Sequence, residues 1–151
     1  MAASTIAARN YIVTTPVGTT PPYVNGSLSS SVIAVGGCLC MWVGGYLNLL
    51  ADTSGGTFAG MFVDDNVGVA VDGTAKVQFV PADSLGFLEM TGATVAASTW
   101  LGKMVYAGAD DATVVLAAAS TYKVPVGICV EVLSTTKARI DPRQRSLTAS
   151  S

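Results

Sequence analysis

The residues that could carry chemistry in this chain are few. Two acidic pairs stand out, Asp64-Asp65 and Asp110-Asp111, together with three cysteines, Cys38, Cys40 and Cys129. There is no histidine, which removes the commonest general base and the commonest metal ligand. Paired carboxylates can share a proton or bind calcium, but chain neighbours on a strand point to opposite faces. Both pairs also sit beside turn residues, Asn66-Val67-Gly68 and Gly108-Ala109, where Asp caps a turn by bonding its own backbone. Cys38 and Cys40 are two apart and share a strand face, and an odd cysteine count argues against a secreted disulfide framework. All three read as reduced, buried, small apolar residues. A zinc site would need a fourth ligand that the sequence does not offer.

No glycine-rich phosphate cradle is present, and serine nucleophiles would lack a base. Lys76, Lys103, Lys123 and Lys137 have surroundings that recommend none of them for catalysis. The expectation is a protein that is not an enzyme and takes no cofactor and no metal. Half of the basic residues lie late, at Lys137, Arg139, Arg143 and Arg145. Asp141 interrupts that stripe and no aromatic side chains are interleaved for base stacking, so it reads as a solvated strand face and not as a nucleic-acid surface.

Positioning these residues falls to a small apolar chain. Of 151 residues, 50% are hydrophobic and 12% are charged, with a net charge of −2. Average soluble proteins carry about 25% charged residues. Disorder over the whole chain is excluded, since that needs high charge and low hydrophobicity. The start has no basic segment followed by an apolar one, so it does not read as a secretory signal. Val32 to Ala51 carries no charge and is long enough to span a bilayer. The glycine pairs Gly36-Gly37 and Gly44-Gly45 instead suit a chain that turns twice, giving two buried strands joined at Gly44-Gly45. No membrane partner is expected.

Residues 1–30 read as an extended N-terminal arm, because Pro16, Pro21 and Pro22 leave no room for a helix. Residues 31–142 read as an all-β domain, a small β-sandwich or barrel, and 143–151 as a polar tail. Short apolar runs broken by Gly, Asp, Ser and Thr are strand signals, and helical periodicity never persists for three turns. Residues 82–101 form a connector that buries Trp100.

A degenerate repeat relates about 37–81 to 102–142. Phe58-Ala59-Gly60-Met61-Phe62-Val63 lies over Pro125-Val126-Gly127-Ile128-Cys129-Val130. Lys76-Val77-Gln78-Phe79-Val80-Pro81 lies over Lys137-Ala138-Arg139-Ile140-Asp141-Pro142, and Gly37 matches Gly102. In the last strand of each copy, Val77 and Phe79, or Ala138 and Ile140, form the core face. Lys76 and Gln78, or Lys137, Arg139 and Asp141, form the wet one. Met61, Val63, Ile128, Val130 and Val132 are expected in the core.

Leu39, Met41 and Val43 alternate with Cys38, Cys40 and Trp42, so that strand is apolar on both faces and must be covered on both. The second cover would come from the arm or from another subunit, which points to an oligomer. The candidate interface residues are therefore Leu39, Met41 and Val43 on this strand and Tyr11, Ile12, Val13, Tyr23 and Val24 in the arm. Tyr11-Ile12-Val13 is suited to strand addition on a neighbour. Trp42, Trp100, Tyr46 and Tyr106 could form glycan-binding platforms of a fibre or adhesin domain, though at strand spacing such residues are more often core.

The run Trp100-Leu101-Gly102-Lys103-Met104-Val105-Tyr106, then Thr113-Val114-Val115-Leu116, Val126-Gly127-Ile128-Cys129-Val130-Glu131-Val132 and Ala138-Arg139-Ile140-Asp141, resembles the small decoration, or cement, proteins of tailed-bacteriophage heads. The resemblance covers residues 100–142 well and 37–81 loosely, and leaves out the arm and the tail. It implies a non-enzymatic virion protein, made in the host cytoplasm, on the capsid exterior. The major capsid protein and further copies of the chain would be its partners, a trimer being the favoured assembly.

Overall fold

A computed structural model of the chain describes residues 23–63 and 67–144. They form an all-β protein. The strands are β1 (Val24–Ser27), β2 (Ile33–Ala34), β3 (Leu39–Val43), β4 (Tyr46–Leu49), β5 (Thr57–Phe62), β6 (Val67–Gly68), β7 (Lys76–Pro81), β8 (Leu88–Thr91), β9 (Met104–Ala107), β10 (Val114–Val115), β11 (Pro125–Ser134) and β12 (Lys137–Asp141). One helical turn, α1 (Ala97–Trp100), precedes β9. It buries Trp100, as the connector was expected to do.

Two five-stranded antiparallel sheets carry the fold, in the orders β1-β7-β5-β3-β4 and β8-β12-β11-β9-β10, and β2 pairs with β6 separately. These orders are the same path drawn twice. Aligned as the sequence repeat aligns them, β1, β3, β4, β5 and β7 of the first unit take the places of β8, β9, β10, β11 and β12 of the second. Even the irregularities coincide. The β3–β5 register skips Ala59 and the β9–β11 register skips Val126, residues that the sequence alignment superposes. Gly37 donates to the Phe62 carbonyl at 2.9 Å and Gly102 to the Cys129 carbonyl at 2.9 Å. The repeat thus begins earlier than the sequence indicates, at β1 and at β8.

One glycine position explains why both copies keep that residue. A Cβ built on Gly60 would lie 1.8 Å from the Val80 carbonyl oxygen, and one on Gly127 would lie 2.2 Å from that of Asp141. Each glycine lets the neighbouring strand's backbone approach where no side chain fits. At Gly44-Gly45 the requirement is conformational. Both have positive φ, 58° and 89°, as the tight two-residue turn between β3 and β4 demands. That hairpin matches the sequence expectation, and Val32–Ala51 is strand and turn. No helix among the described residues is long and apolar enough to cross a membrane.

The arm boundary moves. Residues 24–27 are strand β1, paired along β7, and Leu28 is fully buried. The folded domain therefore includes residues before 31, because β7 needs β1 to complete its outer ladder.

Both faces of β3 are covered by the chain itself, in part by Leu28 of the segment read as arm, and no other subunit is needed to cover them. Leu39 and Met41 join a large core with Phe58, Leu50 and Val80 and with second-unit residues such as Val105, Val126 and Ile140. Cys38 and Cys40 join a second core with Leu28, Leu47, Phe62, Val77 and Phe79. Val67 and Val69, from the excursion between β5 and β7, pack against this second core. The two faces of β3 thus border two separate cores among the described residues.

The strand-face reading holds in part. Val77, Phe79, Ala138 and Ile140 are buried and Lys76 and Gln78 are exposed. Asp141, however, is buried. Val130 is 39% exposed, because the β11–β12 register shifts between Cys129 and Glu131 and makes Val130 the extra residue of a bulge. Ile128 is buried, while Met61, Val63 and Val132 are half-buried against the large core.

Candidate functional site

The sequence-derived interface residues separate into three groups. Leu39 and Met41 are 0% and 3% exposed and are core, so they offer no surface to a partner. Val43 is half-buried against the same core. Tyr23 and Val24 are 52% and 41% exposed, and Val24 opens β1, the outermost strand of the first sheet. Tyr11, Ile12 and Val13 lie outside the described residues, as do Asp64, Asp65 and Arg145. The aromatic residues do not form an open platform. Trp42 is half-buried and meets Phe79 edge-to-face with centroids 5.6 Å apart, Trp100 is buried, and Tyr46 and Tyr106 are half-buried.

The polar residues act locally. Asp110 Oδ1 accepts the Ala112 N–H at 3.0 Å and the Thr113 hydroxyl at 2.8 Å, the turn-capping use expected of it. Among the described residues no group of three or more His, Cys, Asp or Glu side chains is placed to hold a metal. None of the three cysteines forms a disulfide, and all are buried. Burial pushes the Cys40 thiol well above its ordinary value and raises that of Cys129, so neither is a ready nucleophile.

The three late basic residues among those described each face a carboxylate of the same chain. Lys137 lies 3.5 Å from Glu89, Arg139 lies 2.7 Å from Glu131, and Arg143 lies 3.0 Å from Asp141. Burial alone would raise the Asp141 carboxyl. Hydrogen bonds from Gln144 and Arg143 outweigh it and hold the group below its ordinary value.

Asp52 has a role that sequence reasoning missed. Its carboxylate accepts the backbone N–H groups of Thr121 and Tyr122 at 2.9 and 2.8 Å, while its own N–H donates to the Gly108 carbonyl at 2.9 Å. The loop after β4 in the first unit is thereby fastened to two loops of the second. Those two N–H donors hold the Asp52 carboxyl below its ordinary value. A lone Asp seventy or so positions from its partners leaves no local pattern to read.

The most distinctive surface feature is also one the sequence did not single out. A cleft of about 310 Å³ opens between α1 and β10, lined by Thr94, Thr99, Trp100, Val114, Leu116 and Ala118 among others, with no charged side chain in its walls. A second cleft of about 310 Å³ shares Thr99, Leu116 and Ala118 and adds Lys103, Met104 and Tyr106. Together they form an apolar furrow along the outermost strand of the second sheet. The only sequence signal for it was the uncharged run Ala112–Tyr122, which reads equally well as buried chain.

Compared with known proteins, the chain matches no family model, no curated protein and no solved structure.

Proposed function

We propose that this chain is a structural virion protein that binds the exterior of a phage capsid and stabilises the shell. The observation that carries the reading is where the resembling residues fall. Met104–Tyr106, Val114-Val115, Val126–Val132 and Ala138–Asp141 fall in β9, β10, β11 and β12 in turn, so the likeness follows four of the second unit's five strands, all but β8. The role is non-catalytic and uses no cofactor. Support also comes from the apolar furrow on β10, the exposed edge at Tyr23 and Val24, and an N-terminal segment without charge from Asn10 onward. The partners would be the major capsid protein and further copies of this chain, the latter arranged as a trimer. Many copies on one lattice hold by multivalency even where a single contact is weak.

The test is co-sedimentation with expanded and unexpanded phage heads. The full chain should pellet with expanded heads, and a chain beginning at Tyr23 should stay folded but lose most of that binding. The cut must fall before β1, since removing Val24–Ser27 would strip a strand from the first sheet. Failure of the full chain to bind any tailed-phage head, expanded or not, would reject the reading.

A further inference from the structure

The two units treat their outermost strands differently. In the first, the chain leaving β1 runs along β4. Leu28 bridges to Leu47, the Ser29 N–H donates to the Leu47 carbonyl at 3.0 Å, and the Ser31 hydroxyl donates to Asn48 Oδ1 at 2.9 Å. In the second, the chain leaving β8 begins the same way. The Thr91 N–H donates to the Ala112 carbonyl at 2.9 Å. Gly92 donates to the Thr136 carbonyl at 2.9 Å, as Leu28 does to that of Ala75 at 3.0 Å, and only then does the chain turn off: Val95 donates to Thr135 at 2.8 Å, with Thr94 before it at a φ of 52°, where the first unit has the Ser29 bond to β4. Beyond a single parallel bridge of Thr91 to Thr113, just before β10, Val114-Val115 pair only with β9, and the apolar cleft lies where the first unit has its covering segment.

From this difference we infer that the cleft along β10 receives Tyr11-Ile12-Val13 of a neighbouring copy as an added strand. The cleft walls are uncharged and apolar, and so is this segment; it sits in a run that has no charge from Asn10 to Ala51. On a strand, Tyr11 and Val13 point to one face and Ile12 to the other. One face can fill the cleft while main-chain groups pair with β10, the usual division of labour in strand addition. Reach is sufficient. The ten Cα–Cα steps from Val13 to Tyr23 span up to roughly 33 Å when extended, against a radius of gyration of roughly 15 Å for a chain of this size. A strand passed from each copy to the next is a heterologous contact, and such contacts generate closed rings when the rotation permits.

This inference stands apart from the capsid reading and is tested on the isolated protein. Ile12→Cys combined with Ala118→Cys is treated with a short bismaleimide, the native cysteines being buried. Ile12→Cys with Thr74→Cys, an exposed site on the first unit, is the control. Dimers and trimers on a denaturing gel, several-fold above the control, are expected, and Ala118→Glu in an Ile12→Cys background should not assemble. Linkage within single chains would overturn the exchange between copies. Yields equal to the control, with assembly unaffected by Ala118→Glu, would overturn the docking itself.

Discussion

The first and second units share a strand path, a bulge and a glycine, yet they finish their sheets in opposite ways. The first unit closes on itself. Ser29 and Ser31 bond along β4, β2 pairs with β6, and Asp72 accepts the Ser30 N–H at 2.7 Å from the excursion between β5 and β7. In the second unit the β11–β12 connection is a short turn at Thr135-Thr136, there is no counterpart of β6, and the outermost strand faces an apolar cleft. The comparison teaches that one β framework can end in a covered outer strand or in one that faces an apolar cleft. What decides is a single loop and the direction the chain takes after its first strand.

The shared framework is the first thing to break. Gly60→Ala and Gly127→Ala each push a methyl group into the backbone of the adjacent strand, and both should cost about 4 kcal/mol or more. Equal, severe losses in urea unfolding would sharpen the equivalence of the two units; a tolerated alanine at either position would break it. Next is the self-sufficiency of the first unit. Phe62 is fully buried in the second core, and Phe62→Ala should cost about 3–5 kcal/mol. A loss under about 1 kcal/mol, by the same denaturant measurement, would mean that this core is not closed.

The smallest effect concerns the fastening between the units. Asp52→Asn should cost no more than about 1 kcal/mol, because solvent screens an exposed carboxylate. Its pH signature is more telling. Asp52, Asp72 and Asp141 are all held below their ordinary values. Their contribution is therefore fully present above the unfolded carboxyl pKa of about 3.9 and is lost as pH falls through the folded values. With no histidine, melting temperature should be flat between about pH 5 and 8 and fall below about pH 4. The Asp52→Asn protein should show a shallower acid limb. An unchanged limb would show that the interunit contact lies elsewhere.

Much of this framework was legible in the residues themselves. Alternation at Val77–Phe79 and Ala138–Ile140, the glycine turn at Gly44-Gly45, the Asp110 cap and the superposition of Gly60 on Gly127 are local or periodic signals, and a linear reading captures those. β1 and β8 were missed because Val24–Ser27 and Leu88–Thr91 are short and carry weak propensity; they are strands because β7 and β12 offer them a ladder. Val130 was misplaced because a bulge reverses parity without altering composition. The two-faced β3 was recognised, but its second cover comes from residues 28–35 and 67–69, which lie on either side of it in sequence. No periodicity links such segments to the surface they seal. The furrow along β10 was invisible for the same reason: an uncharged run looks alike whether it lines a core or a cleft.

Sedimentation of the full chain beside a chain starting at Tyr23 tests the central claim most directly, that each copy folds alone and associates through its leading segment. The account predicts a ring-sized species, three copies, for the full chain and a cooperatively folded monomer for the shortened one. A shortened chain that still assembles, or that fails to fold without its first 22 residues, would contradict it.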